Sequence, residues 1–270
     1  MSAGTGRDGR VALVTGASRR CAIGAAIARR LVADGLRVLV HSFEPADIEA
    51  YGRADEGGAE ALTVELAAAG GEVAHVSLDL ADPGAPAALV GAAHHRFGGL
   101  DVLVANHARS TEMDLAHLTA AELDLTFAVN TRATLLLVRA LAAGRAPGPG
   151  GRVVLFTSGQ YHGAMANELP YVASKGALHQ LTPSLGASLV GRGITVNCVD
   201  PGPTDTGYAD PERLREVAAA APSGRWGTPQ DAARLVAWLV SEEGAWISGQ
   251  VIASDGGWSV RPRWEPPPGP

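Results

Sequence analysis

The chain has 270 residues, a length that suits one α/β domain and leaves little room for a second core. Its hydrophobic share of 46%, charged share of 19% and net charge of −6 fit a soluble globular protein, and the scattered Lys and Arg residues leave no nucleic-acid footprint. No apolar run approaches the roughly 20 residues that span a membrane, and the polar, Gly-rich start Met1–Arg10 lacks a signal-peptide core. Cys21 falls in a predicted loop and Cys198 in a predicted buried strand, so a disulfide is not expected and a reducing, cytoplasmic setting fits best.

Short apolar runs alternate with helical candidates along the chain. Val11–Val14, Arg37–His41, Val73–Ser77, Val102–Ala105, Arg152–Phe156, Ile194–Val199 and Gln250–Ala253 are rich in Val, Leu and Ile; several lack polar alternation, as strands covered on both faces do. Ile23–Asp34, Ala59–Ala69, Pro86–Phe97, Ala120–Ala142, Tyr171–Val190 and Pro229–Val240 predict helices between them. The rhythm predicts a doubly wound, mostly parallel sheet of seven strands in a three-layer, Rossmann-like α/β/α fold. One domain is expected over residues 10–260, with a flexible N-terminus (1–9) and a flexible Pro-rich tail (261–270). No metal-ligand set is read from the sequence.

The first strand runs into Thr15-Gly16-Ala17-Ser18-Arg19-Arg20-Cys21-Ala22-Ile23-Gly24 and then an apolar helix. A strand, a small-residue loop and a helix N-terminus make a phosphate site, because backbone N–H groups and the helix dipole favour an anion there. Gly16 lets the chain turn sharply, and Gly24 permits close approach of backbone and ligand. Asp79-Leu80 after the third strand and Asn106-His107 after the fourth fall at the same carboxyl edge, where open α/β sheets bind ligands. Enzymes using NAD place an acid at the end of the second strand; here that strand ends in His41-Ser42, with Glu44 close behind. Arg19 and Arg20 can instead neutralise a 2′-phosphate, which favours NADP(H) over NAD(H).

Further along, Tyr171-Val172-Ala173-Ser174-Lys175 opens a long helix. Residues four apart share a helix face, and a nearby cation lowers a phenol pKa toward the range useful for proton transfer. Ser158 ends the fifth strand, where its hydroxyl can bond a substrate oxygen, and Gln160, Tyr161 and His162 follow as candidates to line a substrate pocket with Tyr208.

These motifs together resemble the short-chain dehydrogenase/reductase family, and 3-oxoacyl-acyl-carrier-protein reductases within it, from about Arg10 to Trp258. The family's Ser, its Tyr thirteen positions on, its Tyr-x-x-x-Lys and its helical Asn are met by Ser158, Tyr171, Lys175 and Asn130. Asp200-Pro201-Gly202-Pro203-Thr204-Asp205-Thr206 resembles the family's Pro-Gly motif, and Ser254-Asp255-Gly256-Gly257 its closing segment. The resemblance implies that Tyr171 protonates a carbonyl oxygen and that Lys175 lowers the Tyr171 pKa and holds the nicotinamide ribose. It further implies that Ser158 orients the substrate, Asn130 positions a relay water, and Pro201, Gly202, Thr204 and Thr206 contact the cofactor. It also implies a small carbonyl or alcohol substrate and a homotetramer, or a homodimer, with no membrane and no nucleic-acid partner.

Two departures qualify the match. Gly16 to Gly24 spans eight positions where the family has six, a spacing resembling the enoyl-acyl-carrier-protein reductases of the superfamily; those separate Tyr and Lys by six residues, which from Lys175 reaches Glu168, not a phenol. His107 stands in place of a small residue, either reaching the nicotinamide or serving as a structural hydrogen-bonding group. The excursion Phe43–Gly58 either folds over the adenosine end or is a surface loop, and Tyr208–Ser223 leaves room for only a small lid. The alternatives to a carbonyl reductase are an NAD(H)-dependent alcohol dehydrogenase, an enoyl reductase and a non-enzymatic dinucleotide sensor.

Overall fold

The computed structural model describes residues 9–52 and 54–260; the N-terminal segment through residue 8 and the tail from residue 261, both expected to be flexible, lie outside the described residues. Strands β1 (Val11–Val14), β2 (Arg37–Ser42), β3 (Val73–Ser77), β4 (Val102–Ala105), β5 (Gly151–Phe156), β6 (Ile194–Asp200) and β7 (Val251–Ala253) pair in parallel in the order β3-β2-β1-β4-β5-β6-β7. The helices are α1 (Ile23–Ala33), α2 (Glu44–Tyr51), α3 (Gly58–Ala68), α4 (Ala85–Phe97), α5 (Ala120–Phe127), α6 (Ala133–Gly144), α7 (Leu169–Leu189), α8 (Pro211–Ala220) and α9 (Pro229–Leu239).

Strand periodicity builds two cores. Ala12, Val14, Val38, Val40 and Val104 point to one face, against Ile27 and Leu31 of α1, Leu62 of α3 and Val236 of α9. Val11, Leu13, Leu39, Leu103 and Leu155 point to the other, against Leu89 and Phe97 of α4 and Leu137 and Leu141 of α6. The winding direction reverses between β1 and β4, which opens a cleft at the carboxyl edge of those strands.

Three regions differ from the sequence expectation. The single helix expected over Ala120–Ala142 is α5 and α6 joined by a π-helical turn, Ala128–Arg132. Such a turn inserts an extra residue into the ladder, and here it carries Asn130. The stretch Ala120–Gly144 is also long and apolar enough to cross a membrane by length and composition, yet 56% of its apolar window is buried inside the fold. Thr134, Leu137 and Val138 are core. The excursion after β2 contains α2, with Pro45 near its start, and the segment after β6 contains α8, with Asp210 accepting from the Arg213 amide at 2.8 Å and Pro211 at its first position.

Candidate active site

The glycine loop is held from three sides. Gly16 has φ of +70°, and a Cβ there would sit 2.6 Å from the His107 Cα, so the sharp turn needs glycine. At Gly24 a Cβ would lie 2.4 Å from the Gly16 carbonyl and 2.9 Å from Asn106 Nδ2. The expected close approach is therefore between the first turn of α1 and the loop itself. Asn106 Nδ2 donates to the carbonyls of Thr15 (3.2 Å) and Gly16 (2.9 Å) and so holds the loop. Ala22 caps α1 without a side-chain acceptor, and no acid lies in its first turn, Ile23 included. The dipole end thus remains available to an anion, and the loop fits a dinucleotide diphosphate.

Several residues assigned to cofactor contact have other partners. His41 is buried, its Nε2 2.9 Å from the Leu78 carbonyl and its Nδ1 accepting from the Gly16 amide at 3.3 Å. Burial pulls its pKa down to about 4. Ser42 Oγ pairs with His75 Nε2 at 2.7 Å. Asp79 Oδ1 accepts from the Ala81 amide at 2.8 Å, and Leu80 is buried in the core. His107 lies between Thr15 Oγ1 (2.7 Å from Nδ1) and the Val129 carbonyl (3.0 Å from Nε2), fully buried and held neutral with its pKa down to about 3. The carbonyl must accept from Nε2–H, so Nδ1 accepts from Thr15. The structural role is the one seen.

Arg19 reaches from the glycine loop to the Thr206 carbonyl and lies 4.0 Å above the Tyr51 ring; Cys21 Sγ meets the same carbonyl at 3.1 Å. Arg20 pairs through its amide (2.8 Å) and Nε (3.2 Å) with Asp55. Ser18 Oγ accepts from the Phe43 amide at 3.2 Å. Across the cleft, Gly202 has φ of +60°, its amide bonds Asp200 Oδ1 at 3.0 Å, and Thr204 Oγ1 donates to the Pro201 carbonyl at 3.1 Å. The Pro201–Thr206 segment thereby forms the wall opposite the glycine loop.

Asn130, Ser158, Tyr171 and Lys175 come from the π-turn, the end of β5 and the first turns of α7. Asn130 is 0% exposed. Its Oδ1 accepts from the Arg109 amide (2.7 Å), and its Nδ2 donates to the Arg109 carbonyl (2.8 Å) and Ser174 Oγ (2.9 Å). Lys175, 2% exposed, donates from Nζ to the Phe156 carbonyl at 2.9 Å and lies 5.7 Å from the centre of the Tyr171 ring. The Tyr171 phenol is pushed up to about 12 by burial, against the lowering pull of the adjacent Ser158 side chain. Burial brings Lys175 down to about 8. In this arrangement the ammonium is directed to a carbonyl, and burial is the largest influence on both groups.

The residues expected to line a substrate pocket have the following partners. Gln160 accepts from the Ser158 amide (3.1 Å) and donates to Thr157 Oγ1 (2.9 Å), fixing the turn that presents Ser158. Half-exposed Tyr161 stacks 3.8 Å from His162, whose Nε2 is 3.3 Å from Asp200 Oδ2. Tyr208 packs edge-on to Trp226 at 6.0 Å.

Residues 16–259 match a family model described as enoyl-(acyl carrier protein) reductase. An uncharacterized oxidoreductase, YjdA, of Bacillus subtilis is 36% identical over 250 residues, covering 92% of this chain and 96% of that protein. An Arabidopsis thaliana NADPH-dependent aldehyde reductase-like chloroplastic protein is 33% identical, covering 93% and 94%. The solved structure of LugOII, described as a promiscuous reductase catalysing a C1 keto-reduction in lugdunomycin biosynthesis, superposes with a TM-score of 0.83 at 33% identity, covering 93% and 98%. The chain belongs to the short-chain dehydrogenase/reductase family.

Sequence reading of this short-chain dehydrogenase/reductase missed Arg109. Its backbone grips Asn130 at both ends, while its guanidinium forks between Glu122 (2.9 and 3.0 Å) and Glu49 of α2 (2.7 and 2.8 Å). Glu122 is held down to about 2 by that guanidinium and by the hydroxyls of Thr111 and Thr126. The signal available was an arginine immediately after the His107-Ala108 motif, thirteen residues before an acid at the start of α5. Ser174 was also missed; it lies inside the Tyr-Lys pentad and passes its own hydrogen to the Tyr171 carbonyl at 2.8 Å.

Proposed function

We propose that the protein interconverts a carbonyl, a ketone or 3-oxoacyl-type group, and a secondary alcohol with NADP(H), through one catalytic domain over residues 10–260. The observation that carries this reading is the convergence of Tyr171 and Ser158 above buried Lys175, beside a glycine loop whose helix end takes an anion. Bound nicotinamide supplies the hydride. Tyr171, kept protonated through the neutral range by its burial, gives its proton to the carbonyl oxygen, and Ser158 holds that oxygen. Lys175 holds the ribose hydroxyls, and Asn130 keeps the π-turn and Ser174 in register with Tyr171. Gly16, Ser18, Ala22, Ile23 and Gly24 form the diphosphate cradle, and Arg19 and Arg20 bind the 2′-phosphate.

Support for NADP(H) comes from the two arginines, from the Arabidopsis relative's stated NADPH dependence and from solved neighbours that hold NADPH or NADP. Enoyl reduction, the activity in the family model's description, is favoured by the long glycine loop; Glu168, at the position its Tyr would take, bonds Ser110 Oγ at 3.2 Å instead. Self-association into a homotetramer or homodimer in the cytoplasm completes the reading, supported by the apolar groove of Leu135, Val138, Leu185 and Leu189 and by Trp246, which is 96% exposed. The test is kcat/KM with NADPH and with NADH over ketones, aldehydes, 3-oxoacyl thioesters and enoyl thioesters. A preference for NADPH with a carbonyl substrate is expected; preference for NADH, or turnover of enoyl thioesters alone, overturns it.

A further inference from the structure

Helix α2 touches two sides of the cleft, the glycine loop and the segment after β4. Tyr51 lies under the Arg19 guanidinium of the glycine loop, 4.0 Å from its ring centre. Asp47 lies beside the Ser18 hydroxyl of the same loop. Glu49 takes the outer fork of Arg109, in the segment after β4, in a bidentate pair at 2.7 and 2.8 Å. An element that follows β2 and touches both the glycine loop and the segment after β4 spans the mouth of the cleft between β1 and β4.

What holds α2 there is unusual for a helix. It has no buried residue; Ile48 and Tyr51 are 51% and 47% exposed. It carries Glu44, Asp47 and Glu49 and no basic residue, and its anchors are the Tyr51 ring on Arg19, Asp47 beside the Ser18 hydroxyl and Glu49 on Arg109. A helix without apolar burial opens at small cost, so the closed position depends on those anchors. Among them the Glu49–Arg109 pair has the best geometry, since Arg109 is itself fixed by Glu122 and by its backbone grip on Asn130.

We propose that α2 is a strap across the cofactor cleft, latched by Glu49 on Arg109, and that the latch sets how fast the dinucleotide leaves. This rests on the cofactor reading above. When the cofactor is bound, the latch closes the cleft; when the pair breaks, α2 swings away on Phe43 and Gly52, the latter already at φ of +70°. Because the same Arg109 holds Asn130 through its main chain, strap position and the π-turn of the catalytic set share one anchor.

The experiment measures NADPH dissociation by stopped-flow displacement, with wild type, Glu49→Gln and Glu56→Gln compared. Glu49→Gln removes the charge of a largely exposed carboxylate, so the fold is kept, and a matched melting temperature checks this. Release about fivefold faster than wild type is expected, the size of a well-formed exposed ion pair. Glu56→Gln makes the same charge change on an exposed residue outside the latch and leaves release unaltered. Equal release in wild type and Glu49→Gln, or equal acceleration by Glu56→Gln, overturns the strap while leaving the cofactor reading intact. Failure of the wild type to bind NADPH or NADH overturns the cofactor reading, and the strap with it.

Discussion

Lys175 Nζ donates to the Phe156 carbonyl at 2.9 Å, so the one ammonium beside Tyr171 is bound to the last residue of β5, two residues before Ser158. The contact fixes the relative height of β5 and α7, and with it the spacing of Ser158 and Tyr171. It also leaves the ammonium buried with a single uncharged acceptor, and burial lowers its pKa to about 8.

That burial predicts a trade between stability and function. Lys175 binds its proton less well folded than unfolded, so between pH 8 and the ordinary lysine range the unfolded chain holds more protons and stability rises with pH. Below pH 8 the penalty of a buried charge is fully present. Lys175→Met removes it: at pH 7 without cofactor, the variant is expected to gain on the order of 2 kcal/mol, after about 1 kcal/mol is lost with the bond to Phe156, while turnover collapses. Urea titrations at pH 7 and 9 check this; a variant less stable than wild type at both values contradicts it.

His41 and His107 predict acid sensitivity from the other direction. Both are buried and neutral, with pKa values brought down to about 4 and about 3. Unfolded histidine protonates near pH 6.5, so each contributes stability that is complete above that value and is lost as pH falls toward 4. The slope is about 1.4 kcal/mol per pH unit for each histidine. His107→Gln, which can keep one of the two hydrogen bonds, is expected to reduce the slope between pH 6 and 4.5 by about 1 kcal/mol per pH unit in chemical-denaturation curves; an unchanged slope counts against the buried neutral assignment.

Gly24→Ala tests the packing of the glycine loop. The added methyl meets the Gly16 carbonyl and the Asn106 amide, neither of which can yield without moving the loop. A loss of about 1–3 kcal/mol of stability is expected, together with at least a tenfold rise in the NADPH dissociation constant. Wild-type affinity in this variant means the loop has slack that the structure does not contain.

Most of the strands were legible because a parallel sheet buried on both faces demands continuous Val, Leu and Ile runs, and β1, β3 and β4 end where those runs end. Ser158, Tyr171 and Lys175 could be picked out as candidates from one strand end and one helix face, whereas Asn130 entered only through the family resemblance and lies in the π-turn. The π-turn was not legible: its extra residue leaves the apolar pattern of α5 and α6 unbroken and shows only in the ladder. Helix α2 was hidden because it buries nothing, so no periodicity marks it; Pro45 behind Phe43 was the available start signal. The partners of Arg19 and Arg20, Tyr51 and Asp55, were not legible because they lie more than 30 residues away in sequence.

The proton-transfer assignment is tested most directly by Tyr171→Phe assayed for NADPH oxidation with a carbonyl substrate turned over by the wild type, alongside NADPH binding by fluorescence. The hydroxyl contributes no packing that phenylalanine lacks, so binding within about twofold of wild type is expected, while kcat falls by about 10²–10⁴, the range of a lost general acid. Turnover within a few fold of wild type, with binding intact, contradicts the role given to Tyr171.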